Sequence, residues 1–138
     1  MDWARWNQNA HPELELLHHC PNGGSRNKAE AVKLKQMGVK AGIPDLCLPV
    51  PMGVYSGLYI EMKYDTGRLE DSQKKMLKAL AAAGHYCTVC YGAEEAIRVL
   101  QEYINLKKID AGKREDTMSE QNLMIRKNGK VKCIIFKE

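Results

Sequence analysis

Two carboxylates and an amine carry the chemistry of this sequence: Asp45 in Gly42-Ile43-Pro44-Asp45, and Glu61 and Lys63 in Ile60-Glu61-Met62-Lys63. Residues i and i+2 of a β-strand share a face, so Glu61 and Lys63 point the same way if their segment is extended. A neighbouring strand that begins at Asp45 brings a second carboxylate to the same point. Oxygen donors of this kind suit Mg²⁺, with Mn²⁺ as substitute, because these hard ions take one or two carboxylates beside phosphate oxygens and water. A cation held there polarises a phosphoryl group and acidifies a bound water. An adjacent lysine orients that water or stabilises the negative charge of the pentavalent state. The pattern points to metal-dependent hydrolysis of a nucleic-acid backbone. An E-x-K triplet alone is more often an ordinary ion pair on a half-exposed strand; the preceding Pro44-Asp45 gives the pattern its weight.

The surrounding sequence supplies the elements that must position these groups. Asp2 to Asn9 has helical character and is broken at His11-Pro12. Leu14 to His19 reads as a first strand, ending at the turn signal Pro21-Asn22-Gly23-Gly24. Asn27 to Met37 reads as a helix with a narrow apolar face of Ala29 and Val32 with either Gln36 or Met37, and a stop at Gly38. Leu46 to Val50 is a strand whose Pro49 and Pro51 mark an edge or an end. After a turn at Met52-Gly53, Val54 to Tyr64 returns as its hairpin partner. Period-two alternation puts Leu58, Ile60 and Met62 in the core and Tyr59, Glu61 and Lys63 on the opposite face. It likewise assigns Leu46 and Leu48 to the core and excludes Asp45.

Asp65-Thr66-Gly67 turns the chain into a helix over Glu70 to Ala83, with Met76, Leu77, Leu80 and Ala83 inward and Gly84 as its stop. Tyr86 to Tyr91 is rich in strand formers. Ala93 to Ile104 is a helix carrying Ala96, Ile97, Leu100 and Ile104 at helical spacing. Residues 106–122 are polar and of mixed charge, a linker. Leu123 to Lys127 and Lys130 to Phe136 flank Asn128-Gly129, the pair favoured by a type I′ hairpin turn. A lone hairpin is marginal in water, so this appendage over residues 123–138 must pack on the core or on another subunit.

Composition narrows the class. The 138 residues fit one domain with an appendage, long enough to bury a core without disulfides. No apolar run approaches the roughly 18 residues of a membrane span. Met1 to Asn7 lacks the apolar region of a secretory signal. A cytoplasmic protein with its five cysteines reduced is the expectation. The formal charge of +4 is mild, but Arg26, Lys28, Lys33, Lys35 and Lys40 crowd one stretch, and Arg68, Lys74, Lys75 and Lys78 follow the metal-binding pattern. Such groups face phosphate or simply solvate a helix. Cys87-Thr88-Val89-Cys90 has zinc-ligand spacing, but a strand sends positions i and i+3 to opposite sides, so buried free cysteines are the expectation.

With these residues in place, the sequence resembles the VRR-NUC (virus-type replication-repair nuclease) family of the PD-(D/E)XK superfamily. The resemblance runs through Pro21 to Arg26, Lys35 to Leu46, Gly57 to Lys63, Gly67-Arg68-Leu69, Gln73, Gly84-His85-Tyr86 and Ala96-Ile97. It covers roughly residues 11–105, so the nuclease domain is assigned to residues 1–105. The resemblance is to small stand-alone, phage-type members, which places the protein in a bacterial or phage-infected cell. It implies an α/β fold, an αβββαβ core with a mixed central sheet flanked by helices. It implies that Asp45, Glu61 and the Met62 carbonyl hold Mg²⁺, that Lys63 is the catalytic lysine, and that Gln73 touches the attacking water or a phosphate. Gln73 is otherwise a polar first-turn residue. Asn22, Arg26, Lys40, Arg68 and Lys74 are the residues expected to meet DNA, although the segment Asn22 to Arg26 equally suits a plain turn before a helix.

The family usually carries a further acid on an N-terminal helix, upstream of a segment resembling Trp3-Ala4. Here Asp2 and Glu30 are the nearest acids, and neither sits in a matching motif. Two functions follow from different classes. One is a Mg²⁺-dependent endonuclease that, as in stand-alone relatives, acts as a homodimer on branched DNA such as Holliday junctions. The other is a catalytically weak or inactive module that binds branched or single-stranded DNA. No element for reading bases is evident, so selectivity is expected to follow DNA shape.

Overall fold

The structure is a computed structural model that describes residues 1–21, 27–106 and 122–135. The elements run in the order α1 (Asp2–Asn7), a 3₁₀ helix (Pro12–Leu16), β1 (His18–His19), α2 (Lys28–Gln36), β2 (Leu46–Leu48), β3 (Leu58–Lys63), α3 (Asp71–Ala82), β4 (Tyr86–Tyr91), α4 (Ala93–Ile104), β5 (Asn122–Lys127) and β6 (Lys130–Ile135). The six strands form one mixed sheet in chain order. β1, β2 and β3 pair antiparallel, β3–β4 and β4–β5 are parallel, and β5–β6 closes as an antiparallel hairpin. A parallel pair needs a crossover, and α3 supplies it between β3 and β4. The expected αβββαβ order is present, with α2 inserted between β1 and β2.

Helices cover both faces. One core gathers Leu48, Leu58, Ile60 and Cys90 from the sheet against Ala96, Val99, Leu100, Tyr103 and Ile104 of α4, with Ala4, Leu14 and Leu17 from the N-terminal segment. The other is smaller and sets Cys87 and Val89 against Leu77, with Tyr59, Leu80 and Ile125 packed around them. Cys87 and Cys90 therefore face opposite sides, as strand alternation requires, and burial pushes both thiols up to about 12.

Several expectations are corrected. The segment Leu14 to His19 is not one strand: Pro12 starts a 3₁₀ helix, and only His18–His19 pair with β2. Pro at a first helical position is pre-organised, and Leu14 and Leu17, three residues apart, both bury at the 3₁₀ period. β2 stops at Leu48 before Pro49, and β3 starts at Leu58, because Met52 and Tyr55 pair across a tight loop instead. Leu46 is only partly buried. The face of β3 bearing Tyr59 and Glu61 is covered too, because α3 packs there. On α3, Leu77 is buried and Ala83 is exposed; on α4, Val99 and Tyr103 are buried where Ile97 is only half-buried. The proposed apolar face of α2 is solvent-exposed: the helix buries none of its residues, and Val32 and the adjacent Met37 are 56% and 71% exposed.

The hairpin is part of the sheet, since β5 adds to β4. Asn128 and Gly129 both have positive φ, 52° and 71°, as a type I′ turn demands. Of the residues 106–122 proposed as linker, all but Leu106 and Asn122 lie outside those described. The buried Arg126 of β5 reaches Glu102 of α4 and the Tyr86 hydroxyl of β4, and the Gly129 amide donates to Glu95 Oε1 at 2.6 Å.

Tyr103 ties α4 to the Pro49-Val50-Pro51 kink: its hydroxyl donates to the Val50 carbonyl at 2.6 Å inside the core. Tyr103→Phe keeps the ring and orphans that carbonyl, which costs about 1–3 kcal/mol. The denaturant midpoint is expected to fall at unchanged m-value; an unchanged midpoint would show the bond to be worthless.

Candidate active site

The β2–β3 register sets Leu46 opposite Ile60. One step outward, Asp45 falls opposite Glu61. Asp45 Oδ2 accepts from the Met62 amide at 2.7 Å, and the Asp45 carbonyl accepts from the Cys20 amide at 2.7 Å. The carboxylate is thereby fixed across the open end of the β2–β3 pair. Gly42 delivers the chain to this position. Its φ is +80°, and a Cβ there would lie 2.3 Å from the Ser72 carbonyl oxygen and 2.8 Å from the Gln73 amide nitrogen. Only a glycine lets the loop before Asp45 touch the first turn of α3.

That first turn carries Gln73, on the same side of the helix as Leu77 one turn later. Gln73 Oε1 accepts from Lys63 Nζ at 2.9 Å and from the Glu70 amide at 2.9 Å. Gln73 Nε2 donates to Glu61 Oε1 at 2.9 Å. The amide orientation is forced, because an ammonium and a backbone N–H only donate and a carboxylate accepts. Lys63 Nζ also lies 3.4 Å from Glu61 Oε1. Asp45, Glu61, Lys63 and Gln73 thus share one site, and Met62 sits between its two anchors on β3.

Glu61 is 2% exposed. Burial, then the neighbouring Asp45 carboxylate, raises its pKa to about 7, against the opposing pull of Lys63. Its second oxygen, Oε2, is buried and accepts no hydrogen bond from the described residues. A desolvated carboxylate oxygen beside another carboxylate is costly unless a proton or a cation joins it. The donor set fits Mg²⁺ or Mn²⁺: hard oxygens from Asp45 and Glu61, with the Met62 carbonyl on the same strand end. No group of three or more Asp, Glu, His or Cys residues suited to a metal gathers among the described residues. Asp2 pairs at 3.5 Å with Arg5 on the exposed side of α1, and Glu30 lies in the first turn of exposed α2.

Three of the residues expected to meet DNA are among those described. Lys40 is exposed on the loop from α2 to β2, and Arg68 is exposed just before α3. Lys74 is on the outer side of α3, 4.0 Å from Asp71. Asn22 and Arg26 lie outside the described residues.

Sequence reasoning missed the brace behind Lys63. The turn at residues 64–67 is held by Tyr91, whose hydroxyl donates to the Gly67 carbonyl at 2.7 Å. Lys127 Nζ donates to the Asp65 carbonyl at 2.8 Å and sits 4.6 Å above the Tyr91 ring. Asp65 is held there at φ +49°. A tyrosine ending β4 and a lysine ending β5 give no local signal that they meet this turn.

Comparison with known proteins identifies the family and the fold. The profile of the VRR-NUC domain matches residues 2–94. The solved structure of a VRR_NUC domain protein superposes with a TM-score of 0.65 at 36% identity, covering 78% of this chain and 85% of that one. No curated protein gives a significant match. The mixed six-stranded sheet with its flanking helices is consistent with a PD-(D/E)XK-like core. By profile, fold and identity, the chain belongs to the VRR-NUC family of nucleases.

Proposed function

We propose that the protein is a Mg²⁺-dependent, structure-selective DNA endonuclease that hydrolyses phosphodiester bonds by direct attack of water. The observation that carries this reading is the buried Oε2 of Glu61, unpartnered among the described residues, beside Asp45, with Lys63 and Gln73 hydrogen-bonded alongside. Asp45, Glu61 and the Met62 carbonyl would hold the cation, which when bound supplies Lewis-acid polarisation of the phosphate and a more acidic water. Gln73 keeps Lys63 Nζ beside Glu61. The ammonium is positioned to donate to the attacking water or to a non-bridging phosphate oxygen as negative charge grows. The P–O3′ bond breaks, leaving a 5′-phosphate and a 3′-hydroxyl. Action on branched DNA such as Holliday junctions, by a homodimer that sets two sites on two strands, rests on the family resemblance.

A second reading, a DNA-binding module with little or no cleavage, is favoured by the absence of a third acid beside Asp45 and Glu61 among the described residues. Labelled linear, flapped and four-way DNA with Mg²⁺ or Mn²⁺ separates the two. Wild type is expected to cut branched DNA; Asp45→Ala and Lys63→Ala are expected to lose at least about a hundredfold in rate, near 3 kcal/mol of barrier. Binding without cleavage in either metal overturns the enzyme reading.

A further inference from the structure

The wall of the site formed by Gly42 and Gln73 has a second side. It closes one end of a cleft of about 770 Å³ between α2, the loop to β2 and the first turn of α3. That volume is in the range of small-ligand sites. Ala31, Leu34 and Val39 line it with apolar surface, while Lys35 and Lys40 add positive charge and Glu70 is its one acid. The helix forming its outer wall buries none of its own residues, so burial among the described residues does not explain that surface.

We infer that this cleft receives an unpaired nucleotide of the substrate, the one next to the scissile phosphate. The inference rests on the nuclease reading and adds the feature of the substrate that is selected. Continuity carries it: Gly42 and Gln73 belong both to the cleft and to the site, so a strand whose phosphate lies at Glu61 and Lys63 leads its neighbouring residue into the cleft. Charge and chemistry agree. Lys35 and Lys40 suit the phosphates of that strand, and the apolar wall suits the face of a base. A base inside continuous duplex is stacked on both faces and paired, and it reaches such a cleft only after unstacking. A base at a flap, gap or branch point is already free. The cleft thereby converts strand discontinuity into binding energy without reading sequence.

The test places 2-aminopurine at successive positions around the branch of a flapped DNA and measures binding in Ca²⁺, without catalytic metal. Wild type is expected to change the fluorescence at one position beside the cut and to leave continuous duplex unchanged. Ala41→Trp fills the cleft from an exposed position without touching the carboxylates. It is expected to abolish that change and to weaken binding of flapped DNA about tenfold, with an unaltered circular-dichroism melt. Should Ala41→Trp not fold, Lys35→Ala/Lys40→Ala decides. The salt slope for a single-stranded oligonucleotide is expected to fall by roughly 0.7 per phosphate contact removed. Wild-type fluorescence and salt slope in these variants would overturn the cleft assignment. A protein that cuts branched DNA with no fluorescence change loses the cleft and keeps the nuclease reading. One that shows the change but never cuts in Mg²⁺ or Mn²⁺ keeps the cleft and loses the nuclease.

Discussion

Glu61→Gln is expected to stabilise the metal-free protein at pH 8 while removing its cleavage activity. Burial and Asp45 raise the Glu61 pKa to about 7 in the folded chain, from an ordinary 4.5. Between those values the unfolded chain releases a proton that the native site retains, so folding stability falls as pH rises. The stabilising contribution of the neutral acid is complete below pH 4.5 and lost above 7. The difference amounts to about 3 kcal/mol. Glutamine mimics the neutral acid at every pH, so mutant and wild type should melt together near pH 5 and separate above pH 7. Part of the gain is returned, because Lys63 loses its charged partner at 3.4 Å. A net gain of about 1–3 kcal/mol corresponds to roughly 3–10 °C in the melting midpoint. Cleavage should fall by roughly three orders of magnitude or more, about 4 kcal/mol. Melts in EDTA at pH 5 and pH 8 test the stability half; coincident curves at pH 8 would sink it. Added Mg²⁺ should stabilise wild type at pH 8 and leave Glu61→Gln unmoved, because cation and proton compete for the same oxygens.

Gly42→Ala is expected to damage fold and site together. The positive φ alone costs an alanine about 1–2 kcal/mol. The new Cβ would also overlap the Ser72 carbonyl at 2.3 Å, where the obstacle is helix backbone rather than a flexible side chain. Overlap of that kind adds about 1–3 kcal/mol. Gly38 provides the control: its φ is +90°, and a Cβ there meets nothing within 4 Å. Gly38→Ala should show the backbone cost alone. Gly42→Ala should lose more stability and, by displacing the turn that carries Gln73, also lose cleavage rate. Equal losses for the two substitutions would refute the close contact, and so would a destabilised Gly42→Ala with full activity.

Much of this arrangement was legible in the sequence because it depends on local rules. Alternation along β3 put Glu61 and Lys63 on one face, the Asn128-Gly129 pair specified its turn, and Gly84 and Asn27 marked helix boundaries. Other features depend on contacts between distant segments. Glu61 reads as a strand surface residue; it is buried because α3 covers that face, which follows from the crossover between β3 and β4. Ala29 and Val32 give α2 a helical apolar spacing, yet spacing does not say whether a partner surface exists, and among the described residues none covers Val32. The Leu14 to His19 segment fails for a local reason: Pro12 and the three-residue separation of Leu14 and Leu17 favour a 3₁₀ turn over an extended chain. Gln73 was found through resemblance. A physical signal was present as well, a glutamine on the inward stripe of an amphipathic helix one turn before Leu77.

The brace behind Lys63 also bears on the order in which the protein is made. The residues of the site lie between Asp45 and Gln73, and all have left the ribosome well before the strands of the hairpin. Lys127, which holds the Asp65 carbonyl and caps the Tyr91 ring, arrives late. A nascent chain that ends at α4 carries every group of the site and the Tyr91 bond to Gly67, and lacks only the Lys127 contact on the turn that follows its lysine.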